Sequence, residues 1–111
     1  PYTPETHHLI SERELSLMKE TAVLINTARG VIVDEEALYR ALKNRQIWAA
    51  GLDVFEQEPV PLDHPLLAFP NVVTLPHIGS ASIQTRLKMA DLAAENLLRA
   101  VTKQTPEHVV V

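Results

Sequence analysis

Apolar residues recur along this chain in two rhythms. A short unbroken run at residues 22–25 and apolar-rich stretches at about 48–54 and 72–75 predict three strands, the first two read as buried. Between the runs the spacing becomes helical. Asp34 is a good N-cap with acidic residues behind it, and Ala37, Leu38, Ala41 and Leu42 fall on one face of a helix ending near Asn44. Ser11 with Glu14 three residues later is a capping box, which predicts a short helix to about Lys19. The longest periodic stretch covers residues 82–101, where Ile83, Leu87, Ala90, Ala94, Leu97 and Val101 form a stripe read as a core face or a seat for a partner helix. Residues 1–10 read as an extended loop, Pro59, Pro61, Pro65 and Pro70 mark a proline-rich loop, and a polar tail runs out to Val109, Val110 and Val111. Strands alternating with helices imply an α/β fold with a parallel sheet, here about three strands flanked by helices, like half of a doubly wound sheet.

Composition narrows the chemistry. The 111 residues are 46% hydrophobic and 22% charged, which suits one domain and excludes a disordered chain. A formal charge of -4 and a pI near 5.7 argue against nucleic acid as a partner, and no apolar run is long enough to cross a membrane. There is no cysteine, hence no disulfide or thiolate metal site. No signal peptide opens the chain, so a cytoplasmic location is the default expectation. The three glycines, Gly30, Gly51 and Gly79, stand far apart. A phosphate-cradling turn needs clustered glycines, so a nucleotide site built from these residues alone is incomplete.

In an open α/β sheet, ligands bind outside the carboxyl ends of the strands. Each predicted strand ends there in polar residues: Asn26 to Gly30, then Asp53 with Glu56 and Glu58, then His77 to Gly79. Parallel strands would deliver Arg29, Asp53, Glu58 and His77 to one sheet edge. Arginine presents a planar fork that matches a carboxylate, and histidine exchanges protons near neutral pH beside a carboxylate that favours its charged form. That set suits reduction of a keto acid, with the hydride supplied by a nicotinamide cofactor because no side chain can donate one. Plainer readings stand beside it. Arg29 could be a surface ion pair, Asp53 a turn cap, Glu56 and Glu58 solvated loop residues, and His77 a structural histidine. His7, His8, His64 and His108 read as exposed loop residues, since none shows the i, i+4 spacing of a zinc helix; this disfavours a metal-dependent hydrolase, and no metal ligand is assigned.

Four motifs carry a resemblance: Thr3-Pro4-Glu5-Thr6, Asn26-Thr27-Ala28-Arg29-Gly30, Gly51 through Pro59, and Pro76-His77-Ile78-Gly79-Ser80. In this order and spacing the chain, from residue 1 to about 101, resembles the D-isomer-specific 2-hydroxyacid dehydrogenases. Residues 77–86 look most like the glyoxylate and hydroxypyruvate reductase branch. The resemblance implies a partial Rossmann-like domain that uses NAD or NADP and acts on a small 2-keto or 2-hydroxy acid. It implies that Arg29 binds substrate, His77 is the general acid and base, Glu58 is its paired carboxylate, and Asp53 hydrogen-bonds the nicotinamide carboxamide. Thr27, Ala28, Gly79 and Ser80 would line the cofactor together with Arg29 and His77, and Pro1 and Thr6 less directly. Family members are much longer, so the chain looks like the C-terminal portion of such an enzyme. Residues 1–111 would be the second half of a dinucleotide-binding domain, with 82–111 as the helix and tail that return to a substrate domain.

Members of this family usually work as dimers. An apolar sheet edge left open would itself favour self-association of the chain. The rival to an enzymatic reading is a non-catalytic module acting only through protein association. All three catalytic residue types are in place, which favours the enzyme.

Overall fold

A computed structural model describes residues 2–106; Pro1, His108 and the Val109–Val111 tail lie outside the described residues. The chain divides into two units, Pro1–Gly79 and Ser80–Val111, each taken by itself. In the first unit a three-stranded parallel sheet runs in the order β1 (Val23–Asn26), β2 (Ala49–Leu52), β3 (Val72–Thr74). The register pairs Val23 with Ala49 and Asn26 with Leu52, then Leu52 with Thr74. β1 is as long as its apolar run but shifted by one residue, while β2 and β3 are three residues and one residue shorter than the stretches that announce them.

Two helices cover one face of this sheet. In α1 (Glu12–Ser16), the Glu14 carboxylate accepts from the Ser11 backbone N–H at 3.1 Å and from its hydroxyl at 3.0 Å. The Ser11 N–H does most to hold the Glu14 carboxyl below the ordinary range, helped by the hydroxyl. This helix stops before Lys19, three residues short of the expected end. The second helix, α2 (Glu35–Lys43), begins where the Asp34 carboxylate accepts from Ala37 N–H at 2.9 Å. It ends in a Schellman motif, with Gln46 N–H bonded to the Ala41 carbonyl at 2.8 Å and Arg45 N–H to that of Leu42 at 3.1 Å. Arg45 takes the left-handed position, φ 56°, that glycine usually fills.

The expected core face of α2 is buried as Ala37, Leu38, Ala41 and Leu42, packed with Leu15 of α1, Leu24, Ala50 and Leu52 of the sheet, and Ile47, Phe55 and Leu66. Each large aliphatic side chain here contributes about 1.5–3 kcal/mol by leaving water. The other sheet face differs from expectation. β1 alternates, Leu24 and Asn26 buried but Val23 and Ile25 exposed, and Ile25 keeps 71% of its surface. Val73 and Trp48 are exposed too. The apolar runs are those of a strand covered on both sides, yet α1 and α2 supply only one layer.

The first ten residues hold a short 3-10 turn, Pro4–Thr6, and Ile10 makes a parallel bridge to Val33. The second unit is α3 (Ile83–Val101), capped by Ser82, whose Oγ accepts from Thr85 N–H at 3.1 Å. Its apolar stripe is present, but α3 buries no residue, so the core-face reading is corrected: Ile83, Leu87, Leu97 and Val101 are exposed. No described helix is long and apolar enough to cross a membrane.

The Asp34 cap gives a simple test. Asp34→Ala is expected to lower stability by about 1 kcal/mol, read from the urea midpoint, whereas truncating the exposed Glu36 changes it by under ~0.5 kcal/mol.

Candidate active site

Because all three strands are parallel, their carboxyl ends open on one edge of the sheet, and the polar residues following them meet there. After β1 the chain turns tightly. Asn26, buried at the strand end, donates from Nδ2 to the Arg29 carbonyl at 2.9 Å and accepts Ala28 N–H on Oδ1 at 3.1 Å. This side chain closes the turn from both sides and thereby fixes the backbone of Arg29. The Arg29 guanidinium is exposed and donates from Nη1 to the Ala28 carbonyl at 2.7 Å. Gly30 follows for a steric reason: a Cβ there would lie 1.8 Å from the Phe55 carbonyl carbon and 2.3 Å from Glu56 N. Only glycine lets the Arg29 turn lie flat against the loop that leaves β2.

That loop carries Asp53 and Glu58. Asp53 is 4% exposed, and each of its oxygens takes one backbone N–H, Ile78 on Oδ1 and Gly79 on Oδ2, both at 2.8 Å. It ties the end of β2 to the segment after β3. A Cβ on Gly79 would come within 3.2 Å of Asp53 Oδ2, so that approach is close as well. Between Pro76 and the tied Ile78, His77 sits at φ 54°, a left-handed conformation that disfavours a branched residue by about 1–2 kcal/mol. Its Nδ1 lies 2.8 Å from Glu58 Oε2. Glu58 Oε1 in turn accepts Phe55 N–H at 3.1 Å.

The hydrogen bond from His77 holds the Glu58 carboxyl below its ordinary range, with Phe55 N–H next in weight and the charges of His77 and Arg29 adding to both. Arg29, Glu58 and His77 line one cleft of about 320 Å³ together with Gly30, Val31, Phe55 and Glu56. Asp53 and Thr27 line a larger, mostly apolar hollow of about 550 Å³ over the open sheet face. Ala28 sits in the Asn26 turn. Thr6 is engaged in its own 3-10 turn, accepting Thr3 N–H at 2.8 Å. Ser80 opens the second unit, and Pro1 lies outside the described residues.

Two readings of the sequence change, and a third is refined. Glu56 is an exposed loop residue, but its Oε1 lies 3.1 Å from His8 Nε2 and accepts Glu35 N–H at 3.1 Å. His64 is not an exposed loop histidine, since its Nε2 pairs with Glu35 Oε2 at 3.0 Å and both side chains are largely covered. His8 is likewise held by Glu56. Asn26, Gly30 and Phe55 were not picked out as site residues. Asn26 and Gly30 stand beside Arg29 in the motif, which is the signal that could have found them. No group of three or more metal-ligating side chains assembles among the described residues.

A histidine–carboxylate pair and an arginine thus meet at the carboxyl ends of the parallel sheet of an α/β protein. Residues 1–79 match the D-isomer specific 2-hydroxyacid dehydrogenase, NAD binding domain, and the chain belongs to that family. It is 54% identical over 110 residues to a glyoxylate reductase of Korarchaeum cryptofilum, covering 99% of this chain and 33% of that protein. It is 56% identical over 110 residues to glyoxylate/hydroxypyruvate reductase B of Pectobacterium atrosepticum, covering 99% of the chain and 34% of the relative. The crystal structure of an NADPH-dependent glyoxylate/hydroxypyruvate reductase from Sinorhizobium meliloti, in complex with NADP and malonate, superposes with a TM-score of 0.84 at 50% identity. That likeness covers 89% of this chain and 31% of the other. The chain thus spans about a third of the length of the relatives it matches.

Two outcomes follow from the geometry. Gly30→Ala forces the Arg29 turn away from Phe55 and is expected to destabilise the chain by about 3 kcal/mol in urea unfolding. Glu58 has a lowered carboxyl pKa when folded, so its stabilisation is fully present above the ordinary value of 4.5 and is lost as pH falls through the lowered one. The stability advantage of the native chain over Glu58→Gln should therefore hold from neutral pH to about 4.5 and disappear in stronger acid, as read from paired unfolding curves.

Proposed function

We propose that the whole protein transfers a hydride between NAD(P)H and a small 2-keto acid, with glyoxylate and hydroxypyruvate as the substrates to try first. The observation that carries this is the 2.8 Å His77–Glu58 pair sharing one cleft with Arg29. The curated relatives, both named as reductases of such acids, support the same chemistry.

The residues present fit the nicotinamide end of a dinucleotide. Asp53 uses one lone pair of each oxygen on a backbone N–H, which leaves acceptor capacity for a carboxamide, and it lines the same hollow as Thr27. Arg29, Ala28, Gly79 and Ser80 belong to the segments that would border the cofactor. No glycine-rich turn for the diphosphate occurs in this chain. Residues 1–111 are accordingly read as the second half of a dinucleotide-binding domain, with 82–111 returning to a substrate domain.

When bound, the reduced cofactor supplies the hydride that reaches C2 of the keto acid. Arg29 pairs its fork with the substrate carboxylate and fixes the orientation of the keto group. His77 gives a proton to the keto oxygen, so that hydride and proton together yield the 2-hydroxy acid. Its other ring nitrogen, Nδ1, faces Glu58, whose carboxylate orients the ring and favours the charged form that donates. In the reverse direction His77 takes the hydroxyl proton. The reading extends to a homodimer; the exposed apolar side chains Ile25, Trp48 and Val73 are the feature in favour of association.

The test is oxidation of NADH and NADPH by the whole protein with glyoxylate and hydroxypyruvate. His77→Ala is expected to lower kcat by about 10²- to 10⁴-fold while leaving cofactor affinity nearly unchanged. Arg29→Ala should act chiefly on kcat/KM for the keto acid. Turnover of His77→Ala at the native rate would refute the assignment.

A further inference from the structure

We infer that Glu56, through a reciprocal pair of hydrogen bonds with Glu35, is a positioning residue that aims Glu58 at His77. This rests on the reading of His77 and Glu58 as the acid–base pair.

The pair of bonds crosses between the loop and the start of α2. Glu56 Oε1 accepts Glu35 N–H at 3.1 Å, and Glu35 Oε1 accepts Glu56 N–H at 2.8 Å. Glu35 is the first residue of α2, so its N–H has no partner within the helix, and a carboxylate there also meets the positive end of the helix dipole. A histidine backs each carboxylate. His8 Nε2 lies 3.1 Å from Glu56 Oε1, and His64 Nε2 lies 3.0 Å from Glu35 Oε2. Leu66 N–H donates to His64 Nδ1 at 3.3 Å, which leaves Nε2 as the protonated nitrogen facing Glu35. The His64 ring also meets the edge of Phe55, centroids 5.5 Å apart.

The position of the loop follows from these contacts. Phe55 N–H is taken by Glu58, Glu56 N–H by Glu35, and the Phe55 carbonyl carbon rests against Gly30. The first of these bonds lies inside the loop and moves with it. Contact with Gly30 blocks approach but does not hold the loop in place. Phe55 itself packs into the core, and the reciprocal Glu35–Glu56 bonds tie the next residue of the loop to the start of α2. Glu58 is itself exposed and joined to His77 by one hydrogen bond, too little to hold a loop against water. Its direction is therefore set two residues earlier, at Glu56, which lines the same cleft but whose carboxylate is engaged by Glu35 N–H and His8.

The experiment compares Glu56→Ala, Glu56→Gln and His77→Ala in the whole protein, with unfolding curves recorded in parallel. Glu56→Ala is expected to lower kcat on the order of tenfold or more with the KM for cofactor unchanged, since small misplacement of a catalytic group is costly. Glu56→Gln keeps an amide oxygen for Glu35 N–H and should recover most of that turnover. The downfield proton resonance of the His77–Glu58 hydrogen bond should broaden or vanish in Glu56→Ala and persist in Glu56→Gln. If Glu56→Ala fails to fold, Glu35→Ala and Glu35→Gln make the same comparison from the helix side. Native kcat in folded Glu56→Ala, with only the unfolding midpoint lowered, would make the contact purely structural and overturn the inference. Equal impairment of the Gln and Ala variants would overturn it too. Native turnover in His77→Ala would instead remove the catalytic reading on which it rests.

Discussion

A single buried carboxylate holds the site edge together. Asp53 leaves β2 at the point where the sheet ends and takes the N–H groups of Ile78 and Gly79, one on each oxygen. Charge-assisted bonds of this kind are short and strong, and the low exposure of Asp53 keeps water from competing for them. The parallel register brings the segment after β3 to the correct edge of the sheet, but register alone leaves a loop free to swing. Asp53 removes that freedom on one side of His77, and Pro76 restricts it on the other. The left-handed backbone of His77 is tolerated because both flanks are held.

The same logic recurs around the site with different chemistry. Asn26 closes the turn that carries Arg29 by using both ends of its amide. Glu35 and Glu56 exchange main-chain bonds between α2 and the loop that carries Glu58. Each group read as touching substrate is thus exposed, and each group that orients it is covered or bonded twice. This division suits the proposed role, in which the site would admit a small acid while holding its own geometry.

Much of this could be read from the chain beforehand, and the reasons for the remainder are specific. Asp34 and the Ala37–Leu42 face announce α2 because caps and helical periodicity are local signals. The convergence of Arg29, Asp53, Glu58 and His77 was legible because parallel strands place all their carboxyl ends together. The partners of Glu56 were not legible, since His8 lies 48 residues away and Glu35 lies 21 away, separations that no local pattern encodes. The one-sided burial of β1 was hidden for another reason. An apolar run records the cover its residues are suited to, and Val23 and Ile25 are suited to a second layer that α1 and α2 do not supply. The stripe on α3 misleads in the same way, for its spacing marks a face fit for burial without naming what buries it.

The contact at Gly30 links the turn that carries Arg29 to the loop that carries Glu58. On the proposed reading, one arm would recognise the acid group of a substrate and the other would move a proton. Mechanically they are one piece, because Gly30 presses the Arg29 turn onto the backbone of Phe55 and Glu56 with no space for even a methyl group. Reshaping the arginine turn would therefore drag the His77–Glu58 pair along with it. Selectivity in such a protein is more freely altered by residues that approach the cleft from elsewhere than by those that form its floor.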